Sequence, residues 1–429
     1  MPRHANAPGP RASLTRAVAE EPPASPRHAR TLDRHRLRRR TGVGALAAVM
    51  FLGSGATFAY QEIQGNIGRH DIEDLLGDDR PSAVASPEPI DSKAGQPINL
   101  LVMGSDVREG ESDVDGAGAA GEVEGMRADT AMIAHVSADR SRVEVVSIPR
   151  DTLVDVPSCR LPDGTETPEQ SDVMFNSAFQ TGGETGDVGA AAACTIRTVE
   201  DLTGIFIDDF VVVDFAGFKN VVEALDGVPL YIPEPIDDPY AQVQVAAGCQ
   251  VLDGTEALGV ARARKTVGDG SDISRIGRQQ ELVAAIAREA LSKNLLTDLP
   301  ALYQFLDAAT STLTTGPYIG GLPTMAGLAN SLRGLEPGAI SFATMPFDWA
   351  GPRVVPSADA EQMWENIKAD RPIDATLTGT GEAPTPEPTE TATQEPTTPP
   401  TEAPTEAPTD DGVITAAPSP EPTVPVCTK

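Results

Sequence analysis

The sequence predicts an α/β (α+β) sandwich: a central mixed β-sheet flanked by helices, with an N-terminal transmembrane helix and a disordered C-terminal tail. Three observations predict it. Short β-branched and apolar runs bounded by turn residues alternate with longer stretches of helical period. A charge-free run lies near the N-terminus at residues 41–60. Residues 376–429 are dominated by Pro, Thr and Glu, a composition that favours extended conformations and buries no core.

Residues 1–40 are rich in Pro, Arg and Ala and lack apolar periodicity, so they read as a disordered basic segment. TGVGALAAVMFLGSGATFAY, 41–60, matches in length a helix crossing a bilayer core of roughly 30 Å. RHRLRRR stands directly before it, so the positive-inside rule keeps the N-terminus in the cytoplasm and places the rest of the chain outside the cell. A signal peptide cleaved after Ala59 is the competing reading. A leader spanning residues 1–40 is long for a signal's basic region, which favours an uncleaved anchor. Residues 61–96 read as an extracellular stalk and 97–375 as one globular domain.

Within that domain, INLLVMGSD (98–106), TAMIAHVSA (130–138), RVEVVSIPR (142–150) and DDFVVVDF (208–215) read as strands. VGAAAACTIRTVEDLTG (188–204) reads as a helix stopped by Gly204. A second helix follows over AGFKNVVEALDG, a third spans about 274–296, and two more lie near 299–314 and 322–334. AISFATMPFD is the last predicted strand.

The chain of 429 residues carries a formal net charge of −30. The leader holds ten arginines against three acids and the tail from Gly381 carries about −8, so the part between them carries roughly −29. Such a field repels nucleic acid, which is excluded as a partner. Against it, ARARKTVGDGSDISRIGRQQ (261–280) concentrates Arg262, Arg264, Lys265, Arg275 and Arg278 around a Gly/Asp turn. A salt-bridged solvent helix is the bland explanation; an anionic ligand is the other, since guanidinium forks suit phosphate. At helical spacing Arg275, Arg278 and Gln279 share a face, and Arg262 and Arg264 share a side if that piece is extended.

Strand ends supply the remaining charges. GSDVR puts Asp106 and Arg108 at the mouth of the first strand, RADT puts Arg127 and Asp129 on one side at the entrance to the second, and SIPRDT projects Arg150 and Asp151 after the third. Each alone is explained by a turn or a surface pair. Together, carboxylates for a hard divalent cation and guanidiniums for phosphate oxygens are what a metal-bound pyrophosphate requires. No Ser/His/Asp set is in view, so phosphoryl chemistry by positioning and charge neutralisation is the natural expectation.

Cysteine usage suits the oxidising exterior. Cys159 and Cys194 flank the LPDGTETPEQSD loop, and a disulfide between them is the expected staple. Pairing of Cys249 with either is the rival, burial as small hydrophobes is the third reading, and Cys427 lies in a tail expected to be too mobile for a reliable partner.

The ordered set INLLVMGSDVR, RADTAMI, SIPRDT, FNSAF, DDFVVVDFAGF, LDGVPL, AGCQVLDGTEAL, ARARK and DISRIGRQQ resembles the LytR-CpsA-Psr family over residues 97–295. The resemblance implies a membrane-anchored extracellular phosphotransferase. Its donor would be a polyprenyl-pyrophosphate-linked glycan, and its acceptor peptidoglycan or, as in some actinobacteria, a surface protein. The implied cofactor is Mg²⁺, or Mn²⁺ in its place. Asp106 and Asp129 take the metal role by position, and Arg127, Arg150, Arg262, Arg264, Arg275 and Gln279 take pyrophosphate binding. The catalytic set is then Arg127, Arg150, Asp151, Arg262 and Arg264, with the lipid tail in an apolar tunnel between sheet and helices. The chain departs from the pattern in two places: the acidic, Gly-rich EGESDVDGAGAAGEVEGM insertion, and Tyr231, where relatives often carry a cysteine that pairs with the counterpart of Cys249. A pyrophosphatase and a non-catalytic wall-binding protein are the alternatives. The second leaves the converging Arg and Asp side chains unexplained, and charge and topology disfavour a transcriptional regulator.

Overall fold

The computed structural model describes residues 27–77, 80–81, 93–105, 126–264, 267–268, 272–293, 299–310, 313–373 and 427. The chain divides into two compact units, Met1–Ala59 and Tyr60–Lys429.

Helix α1 (Arg27–Asn66) supplies the described part of the first unit. Among the described residues, Arg39–Asn66 is the one helix long and apolar enough to cross a membrane, and its Val43, Phe51 and Phe58 side chains are exposed. The helix begins earlier than expected. Residues 27–40, read from the sequence as disordered, are helical: they follow Pro26, contain no Gly or Pro, and are rich in the helix former Arg.

The stalk expected over 61–96 is corrected over its described start. Ile63 near the end of α1 and Ile67 just after it are buried, and Gln64 Nε2 donates to the Gly320 carbonyl at 2.9 Å. Strand β1 (Gly68–Arg69) then enters the sheet, and α2 (Glu73–Leu76) buries Leu76. The short polar look of this segment hid apolar positions that pack on the domain.

β2 (Ile98–Ser105), β3 (Ala128–Val136) and β4 (Val143–Ser147) form an antiparallel meander. Next come the hairpin β5 (Leu153–Val156) and β6 (Gln170–Met174), then α3 (Ser177–Gly182) and α4 (Val188–Thr203). Asp187 caps α4 by accepting from Ala190 N, and Gly204 ends it at φ 66°, the left-handed stop that its position predicts. β7 (Asp209–Val213) leads to α5 (Phe215–Ala224). Two small antiparallel pairs follow, built from β8 (Val228–Ile232), β9 (Ile236–Asp238), β10 (Val243–Val245) and β11 (Gly248–Leu252). Helices α6 (Gly254–Arg262), α7 (Asp272–Ser292) and α8 (Leu299–Thr310) precede β12 (Leu313–Thr315) and α9 (Leu322–Ser331). The chain continues through β13 (Ile340–Thr344), the hairpin β14 (Phe347–Ala350) and β15 (Arg353–Pro356), and α10 (Ala358–Lys368). Pro346, without an N–H to donate, splits what the sequence suggests is one strand into β13 and β14.

Seven strands form one mixed sheet in the order β1-β12-β7-β2-β3-β4-β13, with β1–β12, β2–β7 and β4–β13 parallel. The two-residue period sorts its faces. Leu101, Met103, Ile133 and Phe210 pack with Cys194, Ile196 and Val199 of α4 and with Met363 and Trp364 of α10. Ile98, Leu100 and Val136 point the other way, against Ile319 and Leu328. A separate core joins α5, α6 and α7 to β8–β11 through Val222, Leu230, Val260 and Leu282. The predicted mixed sheet with flanking helices is the observed architecture.

Cys159 and Cys194 are disulfide-bonded across a separation of 35 residues, with Cα atoms 5.3 Å apart. Closing such a loop contributes about 3–4 kcal/mol. The expectation for Cys427 is corrected: it bonds Cys249, with Cα atoms 5.6 Å apart. Loop-closure entropy grows only slowly with length, so a long polar spacer does not prevent its end from pairing. Tyr231 stands directly across the β8–β11 pair from Cys249. A sulfur at position 231 would face Cys249, and with tyrosine there Cys249 pairs with Cys427 instead.

One buried carboxyl gives a pH signature. Burial pushes Asp209 up to about 6, against the opposing pull of backbone N–H groups from Ile319 and Phe210 and of Lys93. Its neutral form is favoured by folding, so this contribution is full below the unfolded value near 4 and is lost as pH rises through about 6, a change on the order of 3 kcal/mol. Asp209→Asn is expected to remove that component. Between pH 4.5 and 7 the difference in Tm between wild type and variant should shift in the variant's favour, as read by calorimetry.

Candidate active site

The meander places four charged positions together. Asp129 lies on β3, Arg127 just before it, and Arg150 and Asp151 follow β4. Helix α7 opens with Asp272 and carries Arg275 and Gln279 one and two turns later. Arg150 is the hub. Its Nη1 donates to Asp129 Oδ1 at 2.8 Å, and its Nε lies 3.1 Å from Asp272 Oδ1 and 3.7 Å from Asp151 Oδ1. Arg275 pairs with Asp272 and donates to the Asp129 carbonyl at 3.2 Å. Arg353 of the β14–β15 hairpin donates to Asp151 Oδ1 at 2.9 Å.

Gln279 accepts from the Thr130 hydroxyl at 3.1 Å and donates to the Ala261 carbonyl at 3.1 Å, joining α7 to β3 and α6. Arg127 Nε donates to Gln180 Oε1 at 3.2 Å. Arg262 lies over the Phe215 ring, 5.1 Å from its centroid. It is the last residue of α6 rather than part of an extended piece, because Asp253 and Glu256 form a capping box that starts a helix there. Arg264 follows that helix, its backbone N–H held by Asp238 Oδ2 at 3.0 Å. Arg278 departs from the predicted shared face: its guanidinium donates to the Ala263 carbonyl and borders a different pocket, beside Leu230 and Tyr231. Asp106, Arg108, residues 109–125 of the Gly-rich insertion and Lys265 lie outside the described residues.

Burial and charge act against each other here. Asp272 and Arg275 are 6% and 5% exposed. Burial alone would raise the Asp129 carboxyl, but Arg150, Arg275 and Arg127 together hold it below the usual carboxylate range. For Asp272 burial wins over Arg275 and Arg150, and the carboxyl is pushed up. Burial would lower Arg150, but Asp129 and Asp272 outweigh it and raise its pKa. Burial lowers Arg275, although a guanidinium stays charged at any ordinary pH. Arg127, Arg150 and Arg275 act on Asp129, Arg150, Arg264 and Arg275 act on Asp272, and Arg353 bonds Asp151, so guanidiniums outnumber the three carboxylates, a local positive excess in an acidic chain.

Behind this cluster lies a cavity of about 460 Å³ between the sheet and helices α5–α7. Asp129, Asp214, Arg262, Arg275 and Gln279 stand on its wall, and its mostly apolar remainder includes Met132, Ala134, Val145, Phe218, Leu282 and Val283. Charged head and apolar interior together fit an amphiphile with an anionic end.

The LytR_cpsA_psr family model matches residues 59–369. The chain belongs to the LytR-CpsA-Psr family. This member is 32% identical over 220 residues to the probable cell wall biosynthesis protein LcpB of Corynebacterium glutamicum, covering 51% of this chain and 48% of that protein. It is 29% identical over 237 residues to the polyisoprenyl-teichoic acid–peptidoglycan teichoic acid transferase TagU of Halalkalibacterium halodurans, covering 54% of this chain and 65% of that protein. The match spans about half the length of the corynebacterial relative. The crystal structure of protein gbs0355 from Streptococcus agalactiae shares the fold of this family member at a TM-score of 0.50 and 18% identity, over 68% of this chain and 95% of that one.

Three residues of the cluster escaped the sequence reading. Asp272 had a signal, an acid three residues before Arg275 in the first turn of a helix. Arg353 and Gln180 had none, because tertiary folding alone brings them to Asp151 and Arg127.

Proposed function

We propose that this protein transfers a glycopolymer from a polyprenyl-pyrophosphate carrier to a cell-wall acceptor, peptidoglycan or a surface protein, outside the cell. One observation carries the reading: the arginine and carboxylate cluster adjoins an apolar cavity on whose wall Arg262 and Arg275 stand, so a pyrophosphate head and a prenyl tail fit the same site. Arg127, Arg150, Arg262, Arg264 and Arg275 would neutralise the head, with Gln279 fixing the helix that carries Arg275. The acceptor hydroxyl attacks the sugar-linked phosphorus, its proton passes to a carboxylate of the Asp151–Asp272 group, and the bridging P–O bond breaks to release prenyl phosphate. The 39–66 helix would anchor the chain in the membrane from which the donor comes.

Asp129 suits a hard divalent cation: its carboxylate is 40% exposed at the rim and held ionised by arginines. Asp129 and Asp106 would hold Mg²⁺ or Mn²⁺, which when bound supplies charge neutralisation at the pyrophosphate oxygens.

The test is product analysis with a prenyl-pyrophosphate-linked sugar, with and without peptidoglycan. Release of prenyl phosphate that depends on peptidoglycan, with sugar phosphate joined to it, is the expected result. Equal release without acceptor would identify a pyrophosphatase, and no release together with no donor binding would identify a wall-binding protein.

A further inference from the structure

A second, smaller recess of about 80 Å³ lies beside the arginine cluster, bordered by Asp151, Arg264, Asp272 and Trp349. It shares no lining residue with the apolar cavity, and the Asp272–Arg275 ion pair stands between them: Asp272 borders the recess and Arg275 the cavity. Two of the residues bordering it each carry a buried side-chain atom without a hydrogen-bond partner among the described residues, Asp272 Oδ2 and Trp349 Nε1. Asp272 is 6% exposed, so its unused oxygen is a costly arrangement unless something fills it.

The chemistry of the lining selects the occupant. A phosphate would meet Arg264 and the indole N–H, but also two carboxylates. A cation would meet the carboxylates, but also Arg264. A hydroxyl both donates and accepts, and satisfies the indole N–H and the Asp272 oxygen together. The volume corresponds to roughly two or three waters, room for a hydroxyl-bearing arm rather than a whole sugar ring. Trp349 presents an apolar body to whatever carries that arm, which favours a carbohydrate.

Resting on the transfer reading above, we propose that this recess is the acceptor subsite, where Trp349 Nε1 and Asp272 Oδ2 hold a hydroxyl of a wall carbohydrate. Attacking and leaving oxygens lie roughly in line in phosphoryl transfer. With the prenyl phosphate leaving toward the cavity, the attacking hydroxyl must arrive from the other side of the ion-paired group, where the recess is.

The chain has two tryptophans, and the other, Trp364, is 4% exposed in the core, so fluorescence reports the recess. Full-length protein titrated with soluble peptidoglycan fragments is expected to change its emission, and Trp349→Phe is expected to abolish the change. The variant keeps the ring and loses the N–H, so the fragment's KM in the transfer assay should rise about tenfold, the worth of one hydrogen bond. The thermal shift given by a prenyl pyrophosphate should persist in it. No emission change in wild type, as for a recess holding water alone, overturns the subsite, and so does an unchanged KM in the variant. A response to a hydroxyl-bearing peptide but not to glycan fragments also overturns it. In these cases peptidoglycan-dependent transfer by wild type leaves the function standing; loss of both transfer and donor binding in wild type would sink the two together.

Discussion

Arg150→Ala is expected to lower kcat/KM for transfer by at least about 10²–10³-fold, the range found when a preorganised donor to a developing charge is removed. The reason is the side chain's three partners. Arg150 bonds Asp129 and lies against Asp272 and Asp151, so its loss leaves three carboxylates facing one another without their shared counter-charge. Breaking a buried ion pair on one side costs about 3–5 kcal/mol, so the variant should also melt earlier. Arg150→Lys should not rescue it, because a single ammonium cannot reproduce a fork reaching several oxygens. Arg262→Ala separates activity from stability. That guanidinium lies over Phe215 at the cavity wall, and its removal should cut transfer while leaving Tm nearly unchanged. Steady-state kinetics beside thermal unfolding checks both, and full activity in either alanine variant would remove that residue from the site.

The second large effect comes from the cavity. Ala134 lies on β3 and lines it. Ala134→Phe should fill the space without touching the arginines. Excluding even four methylenes' worth of chain costs about 3 kcal/mol, more than a hundredfold in affinity. Turnover of a long polyprenyl donor should fall by that factor, whereas a donor whose tail is too short to pass Ala134 should be used within a few-fold of wild type. Comparing the two donors across wild type and variant distinguishes a blocked tail site from general damage, which would lower both.

The sheet was legible because its strands are short β-branched runs with alternating faces, and α4 because an Asp cap and a Gly stop bracket it. The charged ends of β3 and β4 were legible for the same reason: strand direction alone brings Asp129 and Arg150 to one edge. Legibility failed where local sequence carries little information. Residues 61–77 look like a linker until Ile63, Ile67 and Leu76 find the core. Arg262 looked extended beside a Gly-rich turn, but the capping box upstream commits it to α6. Arg353 reaches Asp151 across 202 residues, and Trp349 borders the same recess from the same hairpin; no periodicity announces either. Cys427 stands after a polar tail, and only the fold shows that Cys249 is its partner.

The central claim is that one amphiphile occupies this site, with its pyrophosphate among the arginines and its chain between the sheet and helices α5–α7. The most direct measurement is photocrosslinking with a prenyl pyrophosphate carrying a photoreactive group at the end of its chain, followed by peptide mapping. The account predicts adducts on cavity residues such as Met132, Leu282 and Val283, suppressed by unlabelled prenyl pyrophosphate and weakened by Arg275→Ala. Adducts confined to the 39–66 helix or the outer surface, or insensitive to competitor, would contradict it.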